Sequence, residues 1–236
     1  MNFGIIAAGE GSRLAQEGVA KPKPLVEIDG RPMIERLMRI MESAGAERIV
    51  VCTNGSMPEV SKFLEEYRPA EGVELIHIVR RTPSSMHTFK EISAYLKGHG
   101  RFITTTVDTI FRPEDFFGYV KAWEEAPRDV DALMAVTDYV EDEKPLWVGV
   151  KEPGREVTGF HDSQRPDTRY ISAGIYGLSD AAVDVLDNCI EQGMSRMRNY
   201  QRALVEAGLG VFAYPMGKVL DVDHASDIEA ARAFLA

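Results

Sequence analysis

Apolar and polar positions follow two rhythms along this chain. Residues 3–8 form a short apolar run that stops at Gly9, the length and punctuation of a buried strand. A long loop is expected next, because Gly9, Gly11, Gly18, Pro22, Pro24 and Gly30 break any regular pattern. Pro32 then opens a helix in which Ile34, Leu37, Met38 and Met41 fall at i, i+3, i+4 and i+7, with Gly45 just past its end. The alternation repeats. Residues 48–52 read as a strand, and Pro58 opens a helix with Val60, Phe63, Leu64 and Tyr67 on one face. Residues 73–79 read as a strand and 88–96 as a helix with Phe89, Ile92 and Leu96 inward. Residues 102–107 are a strand, Pro113 opens a helix carrying Phe116, Phe117, Val120 and Trp123, and 132–136 are a strand. Strands alternating with helices predict parallel pairing and a sheet covered on both faces.

Past about residue 138 the rhythm shortens. Residues 148–150, 157–160 and 170–176 read as short strands between turns. Helices return at 181–190, with Ser179 as N-cap, and at 200–207. A last helix is expected from Ser226, with Ser226 and Glu229 as a capping box. No repeat, low-complexity tract or linker interrupts the pattern, so residues 1–236 read as one mixed α/β domain with a β-rich region at 138–180.

Composition narrows the function. The 236 residues are 44% hydrophobic and 27% charged, enough for a core without disulfide or metal staples. A net charge of −10 disfavours nucleic-acid and anionic-membrane partners. Cys52 and Cys189 have neither zinc nor disulfide-framework spacing, and no apolar run approaches the ~20 residues of a membrane span, so a cytoplasmic protein is expected. Nothing in the sequence fixes an oligomeric state.

The candidate chemistry starts after the first strand, at Ala7-Ala8-Gly9-Glu10-Gly11-Ser12-Arg13-Leu14. Glycines here let backbone N–H groups approach phosphate oxygens, although a lone Gly-x-Gly is equally a tight turn. It is not a dinucleotide fingerprint, which needs glycine at Leu14, nor a P-loop, which needs Gly-Lys-Ser/Thr. Downstream, Lys21-Pro22-Lys23-Pro24-Leu25-Val26 holds Lys23 on a stiff segment. Residues 1–39 carry six basic and five acidic groups, so the stretch that contains this loop is not acidic although the chain as a whole is.

Together, Ala-Ala-Gly-x-Gly-x-Arg-Leu, Pro-Lys-Pro-Leu-Val and the following Gly-x-Pro-Met-Ile helix start resemble the nucleoside-triphosphate transferase family, the sugar-1-phosphate nucleotidylyltransferases. The resemblance implies a single Rossmann-like α/β domain with a mixed, mostly parallel central sheet flanked by helices and a small β-rich substrate-binding region. It implies that Ala7, Ala8, Gly9, Gly11 and Ser12 line the nucleotide, that Arg13 meets the β and γ phosphates, and that Lys23 meets the α-phosphate. The length fits the catalytic domain alone.

Nucleotidyl transfer is mainly positioning and charge neutralisation, usually with Mg²⁺ on carboxylate oxygens. Asp108 follows the 102–107 strand, where α/β sheets open their ligand crevice, and the resemblance makes it the metal-binding Asp. The family tail Asp-x-Asp-Thr-Pro-Glu-Asp is matched in part by Asp221-Val222-Asp223-His224-Ala225-Ser226-Asp227. Asp223 is the favoured second ligand and Asp221 the alternative, while Asp227 suits a helix's first turn.

The resemblance also locates the pockets. Ser85 and Thr88, in Thr82-Pro83-Ser84-Ser85-Met86-His87-Thr88, either read a base edge or cap a helix. His87 stands where the family has glycine, so the base is not legible. Ser172-Ala173-Gly174-Ile175-Tyr176 matches the family's Asn-Ala-Gly-Ile-Tyr strand, which faces the sugar, with Ser172 for Asn. Asp162 stands where the family's Glu-Lys-Pro lysine meets the sugar phosphate; Arg165 or Arg169 is the candidate replacement.

The resulting expectation is an enzyme that joins an NTP to a small phosphorylated acceptor, most simply a sugar 1-phosphate, releasing pyrophosphate. The alternatives are a cytidylyltransferase acting on phosphocholine or a similar phosphate, a metal-dependent glycosyltransferase using Asp221-x-Asp223, and a nucleotide sensor that has lost its acceptor site.

Overall fold

Successive residues of the first strand serve opposite faces of a sheet. Phe3, Ile5 and Ala7 enter one hydrophobic cluster, while Ile6 and Ala8 enter another. The computed structural model describes every residue of 1–236 except Asp142. Its first half runs β1 (Asn2–Ala7), α1 (Ser12–Gln16), a 3-10 turn at Lys23–Leu25, β2 (Glu27–Ile28), β3 (Arg31–Pro32), α2 (Met33–Ser43), β4 (Arg48–Thr53), α3 (Pro58–Glu66) and β5 (Glu74–Val79). It continues through α4 (Ser85–Ser93), β6 (Phe102–Thr106), β7 (Thr109–Ile110), α5 (Pro113–Glu124) and β8 (Ala132–Thr137). The remainder is β9 (Trp147–Lys151), β10 (Glu156–His161), β11 (Thr168–Leu178), α6 (Asp180–Glu191), α7 (Met197–Glu206), β12 (Val211–Pro215), β13 (Leu220–Asp221) and α8 (Ala225–Leu235).

The central sheet has the order β5-β4-β1-β6-β11-β8-β12-β10-β9. Pairings β5–β4, β4–β1, β1–β6 and β8–β12 are parallel. The pairings β6–β11, β11–β8, β12–β10, β10–β9 and β9–β11 are antiparallel. The sheet is therefore mixed, and parallel pairing dominates only its first half. Because β9 returns to β11, the strands β11, β8, β12, β10 and β9 close into a barrel-like ring. Helices cover both faces: α2, α3 and α5 pack in one cluster, and α4, α6 and α7 in the other.

Several expectations shift for local reasons. The 9–30 loop contains α1, whose Leu14 is buried. The helix expected at 88–96 starts at Ser85, with Ser84 as its N-cap. Phe117 is exposed, and the neighbouring stripe position Tyr119 is buried in its place. Strand β12, which follows Gly208 and Gly210, was not among the expected strands. The last capping box is formed by His224 and Asp227 rather than Ser226 and Glu229, since the N-cap falls two residues earlier.

Two features of the packing fix where the functional residues go. A third cluster, including Leu14, Val26, Ile28, Met33, Ile110, Leu220, Val222 and Ala231, ties α1, β2, β7, β13 and α8 together below the glycine loop. Behind the sheet, Trp123 is fully buried, its Nε1–H donates to the Phe102 carbonyl at 3.1 Å, and a Cβ on Gly177 would lie 2.8 Å from its ring. Gly177→Ala is therefore expected to destabilise the fold by about 1–3 kcal/mol, read by urea unfolding. A midpoint unchanged from the parent would show that β11 does not depend on this contact.

Candidate functional site

The glycine loop is shaped around one lysine. Gly11 has φ +61°, and a Cβ there would lie 2.8 Å from the Lys23 Cβ. Glycine at this position thus satisfies both a left-handed backbone and a close approach. The 3-10 turn that follows Pro22 carries Lys23 inward, leaving its side chain 11% exposed.

Two carboxylates from distant segments meet that lysine. The two-residue ribbon β7–β13 pairs Leu220 with Ile110 and Asp221 with Thr109, and the Val222 N–H donates to the Asp108 carbonyl at 3.1 Å. This pairing sets Asp108 and Asp223 side by side. The Lys23 Nζ forms an ion pair with Asp108 Oδ2 and another with Asp223 Oδ1 at 2.6 Å, while Arg13 Nη1 donates to Asp223 Oδ2 at 2.8 Å. The Asp223 backbone is pinned in turn, since Asp227 Oδ2 accepts from the N–H groups of Asp223 (2.9 Å) and His224 (2.7 Å). Asp227 thus serves the helix terminus, as its position suggests.

The charges shift each other's titration. Burial opposes the charged form of Lys23, but Asp108 and Asp223 outweigh it and hold its pKa above the ordinary lysine range. Burial likewise raises Asp223, yet Lys23 and Arg13 hold its pKa below the usual carboxylate value.

Two cavities open on this cluster. A cleft of about 710 Å³ is lined by Ala8, Gly9, Gly11, Ser12, Arg13 and Lys23, with Ser85, Thr88, Asp108 and Asp223 on its walls. Most of the residues proposed for the nucleotide are thereby brought together. Ala7 is buried in β1 beneath them. Asn54 and Arg81 also line this cleft and had no motif to reveal them. Thr88 is a helix residue whose hydroxyl lies 2.6 Å from Thr82 Oγ1.

A second cavity, about 740 Å³, shares Arg13 and Asp223 with the first. Ser172 and Asp221 line it, as do Glu141, Glu143, Lys144, Arg196 and Arg198. Ser172 Oγ donates to Gln201 Oε1 at 2.8 Å. Gly174 sits in the β11 irregularity at φ +72°, where a Cβ would lie 3.0 Å from Thr109 Oγ1. Arg169 points elsewhere: its side chain is 72% exposed and pairs with Asp138 at 3.0 Å. Asp162 is bound by Arg198 (2.9 Å) and Arg202 (2.7 Å).

Among the described residues no cluster of three or more His, Cys, Asp or Glu could hold a metal. The two carboxylates on Lys23 do suit Mg²⁺, which typically binds one or two protein carboxylates and completes its shell with water and substrate phosphates. Among those residues, too, no helix is long and apolar enough to cross a membrane.

The Asp223 contribution to stability has a defined pH window. A depressed folded-state pKa means stabilisation present above the unfolded value of about 3.8 and lost as pH falls through the folded one. The stability gap between the parent and Asp223→Asn should be full at pH 7 and close progressively below pH ~4. A gap that does not change with pH would mean that the ion pairs are not its source.

The chain is similar in sequence and fold to known nucleotidylyltransferases. Glucose-1-phosphate cytidylyltransferase of Salmonella typhimurium is 24% identical over 216 residues, covering 78% of this chain and 77% of the relative. A 2-aminoethylphosphonate cytidylyltransferase of Lancefieldella rimae is 44% identical over 66 residues, covering 28% of this chain and 26% of the relative. The solved inositol-1-phosphate CTP transferase of T. maritima has the same fold, with a TM-score of 0.79 at 18% identity over 98% of this chain and 94% of that one. A family model described as the MobA-like NTP transferase domain matches residues 4–171, and the chain belongs to that family.

Proposed function

We propose that the protein transfers a nucleotidyl group from an NTP to a small phosphorylated acceptor, a sugar 1-phosphate in the first instance, and releases pyrophosphate. The observation that carries this reading is the junction of the two cavities at Arg13 and Asp223, beside Lys23 and Asp108. An acceptor phosphate oxygen attacks the α-phosphorus in line. The bond from that phosphorus to the bridging oxygen of the β-phosphate breaks, and pyrophosphate carries away the electron pair.

Each charged residue has a separate task. The loop N–H groups around Gly9 and Gly11 and the guanidinium of Arg13 hold the β and γ phosphates, so Arg13 retains the leaving group. Mg²⁺ on Asp108 and Asp223, when bound, would neutralise charge on the reacting phosphates. Lys23, held between Asp108 and Asp223, would serve the α-phosphate, where negative charge builds in the transition state. The Rossmann-like half of the sheet supplies the nucleotide cleft, and the barrel-like half supplies the acceptor cavity.

Cytidylyl transfer to a non-sugar phosphate or phosphonate is the second reading. Asp162, in place of the lysine that meets a sugar phosphate in the family, favours it, as does the local similarity to the 2-aminoethylphosphonate enzyme. A glycosyltransferase reading is weaker, because it leaves Lys23 without a task.

Removing one preorganised charge of this type typically costs ~3–4 kcal/mol of transition-state stabilisation. Lys23→Ala should lose at least two decades of kcat with its circular dichroism spectrum retained; near-normal turnover would remove Lys23 from the mechanism. For Asp108→Ala the measurement is pyrophosphate release titrated with Mg²⁺. The expected outcome is loss of the Mg²⁺ response, and an unchanged titration curve would contradict the metal assignment.

A further inference from the structure

The acceptor needs a cationic anchor for its phosphate, and position 162 supplies the opposite charge. Asp162 is 66% exposed and lies outside the lining of the acceptor cavity. What it does instead is hold Arg198. Its Oδ1 accepts from Arg198 Nη1 at 2.9 Å, and Arg198 Nη2 donates to the Lys144 carbonyl at 2.9 Å. With one amino group on Asp162 and the other on a backbone carbonyl, the guanidinium plane is fixed. A guanidinium has five N–H donors, so others remain for a ligand in the cavity that Arg198 lines.

Arg196 stands beside it on the same wall. It is exposed and, among the described residues, has no carboxylate within ion-pair distance. Its backbone is held at φ +69°, a conformation that non-glycine residues rarely adopt and that costs roughly 1–3 kcal/mol. Two hydrogen bonds from the nucleotide side hold the segment: Ser84 Oγ accepts from the Arg196 N–H at 3.2 Å, and Ser85 Oγ accepts from the Met197 N–H at 3.3 Å. Ser84 and Ser85 both line the nucleotide cleft. The rest of the acceptor wall includes Glu141, Glu143 and Asp221, which repel an anion, and the cations Arg13 and Lys144; Arg196 and Arg198 are the two cations that are near neighbours in sequence on this wall.

We propose that Arg198, oriented by Asp162, and Arg196 bind the phosphate or phosphonate group of the acceptor. The proposal rests on the nucleotidyltransferase reading. It makes Asp162 a positioning residue that acts through Arg198. Arginine's planar fork suits a tetrahedral oxyanion, and its fixed orientation directs the acceptor toward Arg13 and Asp223 at the cavity junction.

The test measures pyrophosphate release by the full chain with CTP, Mg²⁺ and, in turn, glucose 1-phosphate, phosphocholine and 2-aminoethylphosphonate. Arg198→Ala and Arg196→Ala should each raise the acceptor KM at least tenfold, with the KM for CTP within twofold. Asp162→Ala should raise the acceptor KM by a smaller factor, and Asp162→Asn should recover part of it. Arg202→Ala removes the other cation on Asp162, does not touch the cavity lining, and should leave the acceptor KM unchanged. An acceptor KM that is normal in Arg198→Ala, or that rises together with the KM for CTP, would overturn the proposal while leaving the transferase reading intact. The second arm needs no turnover. Titration of inorganic phosphate, followed by calorimetry, should be at least tenfold weaker in the double variant Arg196→Ala/Arg198→Ala than in the parent, with far-ultraviolet circular dichroism unchanged. Equal phosphate affinity would overturn the anchor. Normal phosphate binding differences with no pyrophosphate from any acceptor would instead count against the transferase reading.

Discussion

One ammonium group shared by two carboxylates organises this molecule. Asp108 and Asp223 would repel each other at the separation that β7 and β13 impose, and Lys23 neutralises both. Lys23 and Asp223 are 200 residues apart, so the contact also fastens the C-terminal segment to the N-terminal loop. Much of the local architecture serves it: glycine at position 11 makes room for the lysine stem, the ribbon aligns the acids, and the Asp227 carboxylate fixes the backbone of Asp223. Removing one member of such a partly buried cluster leaves an uncompensated charge on the others.

The same cluster explains how two chemically different cavities work as one site. An NTP brings several negative charges into the first, and an acceptor brings more into the second. Arg13 and Asp223 belong to both walls, and Ser84 and Ser85 at the start of α4 reach from the nucleotide cleft to the backbone of Arg196 and Met197. Rigid coupling of this type suits in-line transfer, where a misplacement of about 1 Å can cost roughly a hundredfold in rate.

The N-terminal half was legible because its signals are local. The stripe Ile34, Leu37, Met38 and Met41 is buried in α2 as its spacing requires, and the strands carrying Phe3, Ile49 and Ile103 lie where their apolar runs placed them. Gly11 and Lys23 were legible because two prolines and a glycine leave few backbones available. The acceptor side was not, because its geometry depends on long-range pairing. The ring closes only when β9 meets β11, and nothing in either strand announces that partner. Arg196 and Arg198 belong to the start of a helix that follows α6, far from the β11 motif, and Asp162 reads as a lost lysine until Arg198 is seen bound to it. Ser226 offered a plausible cap, but His224 and Asp227 compete better once Asp223 is pinned to Lys23.

The most direct measurement is phosphorus-31 nuclear magnetic resonance of the protein with Mg²⁺, each of the four NTPs and each phosphorylated acceptor. One NTP and one acceptor should together give a new diphosphate-ester pair of resonances, equal in intensity to the pyrophosphate formed and absent when either substrate is withheld. Inorganic phosphate and NDP in place of pyrophosphate, or no new phosphorus–oxygen–phosphorus linkage with any combination, would contradict it.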